Sequence, residues 1–204
     1  YHRKGRVTTP WGWNLREQVT QADFPGGLKD INTELPEVRQ KMIEIFADWI
    51  RKTNIDGFRI DTVKHVERGF WQEFNAGIRR EAKEMGKENF LMYGEVFDGD
   101  DELLGSYTRN GELDSVFYFS HKFQVFDDVF KRNKPTKNIE RLYNQRFDNY
   151  GAQGHPNGVT DAAGEPLPPT SVLVNFMDNH DVSRFLFRFG EEDALKAALM
   201  YLLT

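Results

Sequence analysis

Three carboxylates stand at the ends of short apolar stretches: Asp61 after 55–60, Glu95 after 90–94 and Asp181 after 171–177. Arg59 lies two residues before Asp61, so on a strand both side chains point to one face. A guanidinium there holds a carboxylate ionised, which makes Asp61 a candidate nucleophile or base. Taken alone, the pair reads equally well as a buried structural ion pair. Glu95 has no adjacent base and is flanked by Tyr93 and Phe97, a setting that suits a proton carrier. Acids gathered in one pocket push one pKa up and leave a neighbour ionised. Glycoside cleavage uses that division: one carboxylate attacks the anomeric carbon and one carboxylic acid protonates the leaving oxygen. A third acid, Asp181, would orient the sugar or stabilise the transition state. Asn179 and His180 beside it could donate hydrogen bonds to hydroxyls.

The flanking residues supply elements that would bring these groups together. Thr33 and Pro36 are helix-start signals, and Val38, Met42, Ile45, Phe46 and Trp49 then recur at helical spacing to about Lys52. The alternation of Ile55, Phe58 and Ile60 predicts a strand over 54–61. A helix is predicted over 67–85, with Phe70, Phe74 and Ile78 on one face, followed by a strand over 90–96. Residues 98–110 read as a loop, 113–120 as a third strand, and 121–131 and 139–147 as helices. The stretch 148–170 is long and rich in Gly and Pro, and such segments are usually functional or mobile. A fourth strand over 171–177 leads to Asp181, and a last helix begins at Glu191. Alternating strands and helices imply parallel pairing, with the carboxyl ends of the strands on one rim. The order fits a small doubly wound sheet or half of a barrel, since a closed eight-stranded barrel takes about 250 residues.

Composition narrows the classes. The 204 residues are 39% hydrophobic and 14% aromatic, which argues for a packed core. A net charge of -5 with no basic stripe gives no footprint for nucleic acid. The absence of cysteine excludes disulfides and thiolate zinc sites. No apolar run approaches the roughly 20 residues of a membrane span. The chain opens at Tyr1 and stops at Thr204 inside a helical pattern, which reads as an excised segment. His2, His121 and His155 read as surface or loop residues. Trp11, Trp13, Tyr107 and Tyr150 could stack on sugars but are given no role.

Together these residues resemble the α-amylase family of glycoside hydrolases. Gly57-Phe58-Arg59-Ile60-Asp61 with Lys64-His65 is similar to that family's fourth-strand motif, and Gly94-Glu95-Val96 to its fifth. Phe176-Met177-Asp178-Asn179-His180-Asp181 is similar to the seventh, and Leu28-Lys29-Asp30-Ile31-Asn32 to a motif near the end of the protruding domain B. The three strand motifs occur in the family's order and span nearly the whole chain. The resemblance implies an α/β fold, a partial (β/α)8 TIM barrel comprising roughly strands four to seven. Residues 1–32 would end a domain B-like excursion and 33–204 would form the barrel part. It implies a retaining mechanism with Asp61 as nucleophile, Glu95 as general acid/base and Asp181 as transition-state stabiliser. Arg59 and His180 would bind the sugar being cleaved, and Lys64 and His65 would face the leaving-group side. Calcium is implied for the intact protein, with the backbone oxygen of His65 as one ligand, while none is assigned outright to this segment.

The expected substrate is an α-glucan such as starch or maltodextrin, cut internally at α-1,4 links. The alternatives are an α-glucosidase, a transglycosylase, or a non-catalytic carbohydrate-binding relative. The last usually loses one of the three acids, and all three are present here. A metal-dependent barrel hydrolase is disfavoured by the lack of any His-x-His pair. The family's third-strand motif is absent, so the segment alone is expected to have little or no activity and to self-associate through exposed sheet edges. An extracellular or periplasmic location is favoured for the parent protein.

Overall fold

The computed structural model describes residues 1–2, 16–24, 27–109, 112–188 and 190–204. Residues 3–15, including Trp11 and Trp13, lie outside them. A short helix, α1 (Arg16–Gln21), precedes α2 (Pro36–Thr53). Pro36 occupies the first turn of α2, where its missing N–H costs nothing. Asn54 ends the helix in the left-handed conformation and donates its N–H to Ile50. Ile43, Ala47 and Ile50 form the buried stripe.

Strand β1 (Gly57–Ile60) pairs in parallel with β2 (Leu91–Gly94), which pairs in parallel with β3 (Ser115–Val116). Between β1 and β2 runs α3 (Arg68–Glu84), which buries Phe70, Phe74 and Ile78 as the periodicity predicts. Arg59 is opposite Tyr93, and Ile60 is opposite Gly94. The carboxyl ends of β1 and β2 are therefore level. The core beneath them is apolar, with Val63, Ile78, Met92, Val96, Leu104, Val116 and Phe119 fully buried.

Several elements differ from the expectation. Residues 98–110 hold a helix, α4 (Asp101–Ser106), because the Asp100 carboxylate caps the N–H groups of Glu102 and Leu103. The third strand is two residues long, since the chain turns into α5 (Phe119–His121), which continues as a π-helix over Lys122–Lys131. The fourth strand is reduced to one parallel bridge between Phe117 and Val174. Two bonds hold it: Tyr118 N to Val174 O at 3.0 Å and Val174 N to Val116 O at 3.2 Å. A two-residue β3 offers little edge for a longer partner. His121 is buried, not superficial; its Nε2 lies 3.1 Å from the Tyr201 hydroxyl, and burial pushes its pKa down to about 4. Helix α6 (Lys137–Tyr150) and α7 (Glu192–Leu203) complete the chain, α7 packing on the π-helix around Phe126, Phe185 and Ala198. Among the described residues no helix is long and apolar enough to cross a membrane.

Candidate active site

The parallel ladder runs past the named ends of β1 and β2. Glu95 N–H donates to Ile60 O at 2.7 Å, and Val63 N–H donates to Glu95 O at 2.9 Å. These two bonds set Asp61 and Glu95 side by side. Their carboxyl groups hydrogen-bond to each other. Arg59 bridges the pair, with Nη1 3.1 Å from Asp61 Oδ1 and Nη2 donating to Glu95 Oε2 at 2.5 Å. The sequence pairs Arg59 with Asp61 alone; the fold gives it both acids.

Electrostatics separate their roles. Burial is the first cause raising Glu95, the hydrogen bond and charge of Asp61 add to it, and Arg59 opposes them, leaving a pKa of about 7. Asp61 moves the other way, held below the usual carboxylate range by the hydrogen bond from Glu95, then by Arg59 and the Thr62 N–H. One carboxylate and one carboxylic acid thus stand in contact near neutrality.

Immediately after Asp61 the backbone turns sharply. Thr62 has φ 53° and ψ 32°, a left-handed conformation that a β-branched residue rarely adopts. The turn opens a single-turn 3-10 helix over Val63–His65 that lifts Lys64 and His65 onto the rim. A cleft of about 350 Å³ is lined by Phe24, Thr62, Lys64, His65, Glu95, Phe97 and Asp181. Lys64 Nζ donates to Phe97 O at 2.6 Å and lies 3.3 Å from Asp98. His65 meets the edge of Phe24, with ring centroids 5.0 Å apart. Asp181 reaches the same cleft, and its charge contributes to the raised pKa of Glu95. Its loop is shaped by Asn179, whose Oδ1 accepts the N–H groups of Asp181 at 2.9 Å and Val182 at 3.2 Å. His180 is largely exposed, lies outside the cleft lining, and pairs with Asp181 at 3.0 Å. Sequence reasoning gave no role to Phe24 or Thr62 and named Phe97 only as a flank of Glu95, not as part of the cleft wall. Only Phe97 carried a signal, its place two residues after Glu95.

Calcium chemistry needs six to eight oxygen ligands. Among the described residues no three His, Asp or Glu side chains converge as a metal-ligand set. Asp23 is paired with Lys29 at 2.5 Å, and Asp30 with His2. The described residues therefore do not by themselves fit calcium at the His65 carbonyl.

A parallel sheet with helical crossovers and acids on its carboxyl rim is the arrangement of a (β/α)8-barrel catalytic segment. Comparison with known proteins agrees. The alpha amylase catalytic domain matches residues 4–204. An alpha-amylase of Streptomyces lividans is 34% identical over 97% of this chain, which spans 19% of that relative. In three dimensions the chain is similar to an Anoxybacillus alpha-amylase, with 25% identity, a TM-score of 0.71 and coverage of 97% of this chain and 37% of that one. It is also similar to the acarbose-complexed alpha-amylase of Geobacillus thermoleovorans, with 28% identity, a TM-score of 0.63 and coverage of 74% and 32%. The chain belongs to the α-amylase family of glycoside hydrolases and is a partial (β/α)8 barrel.

Proposed function

We propose that this chain carries the catalytic rim of a retaining hydrolase that cuts α-1,4 links inside α-glucans. Asp61 attacks the anomeric carbon while Glu95, in its acid form, protonates the departing glycosidic oxygen. The bond to that oxygen breaks as the ester to Asp61 forms. Glu95, now ionised, takes a proton from water, and the water oxygen displaces Asp61 with net retention. Asp181 faces the oxocarbenium-like transition state. Arg59 and His180 bind the sugar being cleaved, and Lys64 and His65 lie on the leaving-group side.

The observation that carries this reading is the contact between ionised Asp61 and protonated Glu95 across Arg59. A structural ion pair has no need of a carboxylic acid held neutral near pH 7. Carboxyl carbon NMR of the chain tests it. Glu95 should titrate near pH 7, and Asp61→Asn should lower that midpoint by removing a neighbouring charge. A Glu95 midpoint in the ordinary carboxylate range would defeat the assignment.

A second reading, glycosyl transfer, draws on the cleft's aromatic rings. Phe24 and Phe97 are both part-exposed and line it with Lys64 and His65. Apolar ring faces there favour an incoming sugar over water. Product analysis on maltotriose, in a protein joining this segment to the rest of its catalytic domain, separates the two: longer oligosaccharides indicate transfer.

A further inference from the structure

A second cleft, of about 780 Å³, opens at the other end of β2, beside Phe90. One wall is a single face of α3 bearing Gln72, Arg79, Arg80 and Lys83. The facing wall comes from residues 155–164, and that loop is ordered. Thr160 donates from N and Oγ1 to Asn89 Oδ1 at 2.7 and 2.9 Å. Asp161 Oδ1 accepts the N–H groups of Ala163 at 2.8 Å and Glu165 at 3.0 Å.

The charge of this cleft runs against that of the chain. The whole sequence has 27 Lys and Arg against 32 Asp and Glu. The cleft is lined by Arg79, Arg80, Lys83 and Lys87 against Glu88. Arg79 is committed to the floor, its Nη2 donating to Asp114 Oδ1 at 2.8 Å. Lys87 is tied to Asp56 at 2.6 Å. Lys83 to Glu88 at 3.5 Å and Arg80 to Glu81 at 3.8 Å are looser pairs with largely exposed cations, and such pairs are weak enough to exchange for a ligand. His155 Nδ1 accepts the Asn157 N–H at 3.1 Å, so in the neutral ring Nε2 carries the proton and is a further donor. Burial, with Arg79 adding to it, lowers the His155 pKa and favours that neutral ring. Phe90, the lining's one phenyl ring, is 3% exposed and offers no face for stacking a neutral sugar.

Donor-rich walls without an aromatic platform favour an anion over a neutral glucan. The volume leaves room for more than a lone phosphate. We propose that this cleft binds a phosphorylated sugar, with the phosphate between Arg80 and Lys83 and the sugar hydroxyls toward Asn157 and His155. Calorimetry of the 204-residue chain at low ionic strength tests it, using glucose 6-phosphate, inorganic phosphate and glucose as separate probes. Glucose 6-phosphate should bind saturably, inorganic phosphate about tenfold more weakly, and glucose not at all. The double variant Arg80→Ala/Lys83→Ala should weaken glucose 6-phosphate by about tenfold or more at an unchanged Tm. A control pair on α2, Lys41→Ala/Lys52→Ala, should leave it unchanged. Amide shifts should cluster in 72–90 and 155–164. The assignment falls if no saturable heat is seen, if inorganic phosphate binds as well, if the control weakens binding equally, or if the shifts centre on Glu95.

Discussion

The backbone N–H of Val63 donates to the carbonyl of Glu95 at 2.9 Å, one step beyond the last residues of the sheet. This bond pins the turn after Asp61 against Glu95. It depends on Gly94, because a Cβ there would lie 2.6 Å from Val63 Cγ2 and 2.5 Å from Leu113 Cδ1. The glycine before Glu95 is thus a packing requirement of the site.

Gly94→Ala should therefore cost about 1–3 kcal/mol, the usual penalty of overpacking a tight core. Urea unfolding checks it. A midpoint equal to that of the parent chain would show that Val63 and Leu113 yield freely and that the bond does not need the glycine.

The acid pair predicts a pH dependence of stability with a definite sign. The pKa of Glu95 is raised in the folded chain, from 4.5 to about 7. Its contribution is fully present below about pH 4.5 and is lost as pH rises through 7. Asp61 is shifted down, so its contribution is lost only as pH falls below its ordinary value of 3.8. Unfolding free energy measured from pH 4.5 to 8 should decline through this acid, and Glu95→Gln should flatten the decline. An identical slope in the variant would remove Glu95 as its source.

Metal removal should leave the fold of this chain alone. Among the described residues before α2, the carboxylates of Asp23 and Asp30 are already matched to Lys29 and His2. Melting in EDTA and in millimolar calcium should agree within about 1 °C, since a ligand stabilises only in proportion to its occupancy of the native state. A rise of several degrees with calcium would mean that residues outside the described set complete a site.

Self-association and weak turnover should accompany each other. Among the described residues β1 pairs only with β2, leaving its other edge open, and Leu186, Phe187, Met200 and Leu203 are exposed. Open edges and apolar faces recruit partners. Light scattering should find dimers or larger species, and hydrolysis of soluble starch should be slight. A clean monomer would speak against the first expectation, and turnover matching an intact amylase against the second.

Much of the positioning frame was legible in the residues themselves. The 3.6-residue apolar period of α3 and the apolar residues around β1 are local signals that name their buried faces correctly. On α2 the existence of the helix was legible but its face was not: Met42 and Phe46 pack on the core, Ile45 and Trp49 are exposed, and Ile43, Ala47 and Ile50 are the buried stripe. Placing Asp61 and Glu95 at strand ends follows from the same local reading. The short β3, the π-helix that follows it and the single bridge at Val174 were not legible, because strand length depends on what the neighbouring chain offers for pairing. Helix α4 was hidden by its polar composition, though the Asp100 cap was present to be read.

The sequence by itself determined which residue types could do chemistry and where along the strands they fall. Only the tertiary structure decided that Arg59 serves two acids, that Asp61 itself helps to raise the pKa of Glu95, and that Phe24 closes the cleft beside His65. Those outcomes depend on distance and burial between segments far apart in the chain. Charge coupling and desolvation act through space, so residue order alone does not fix them.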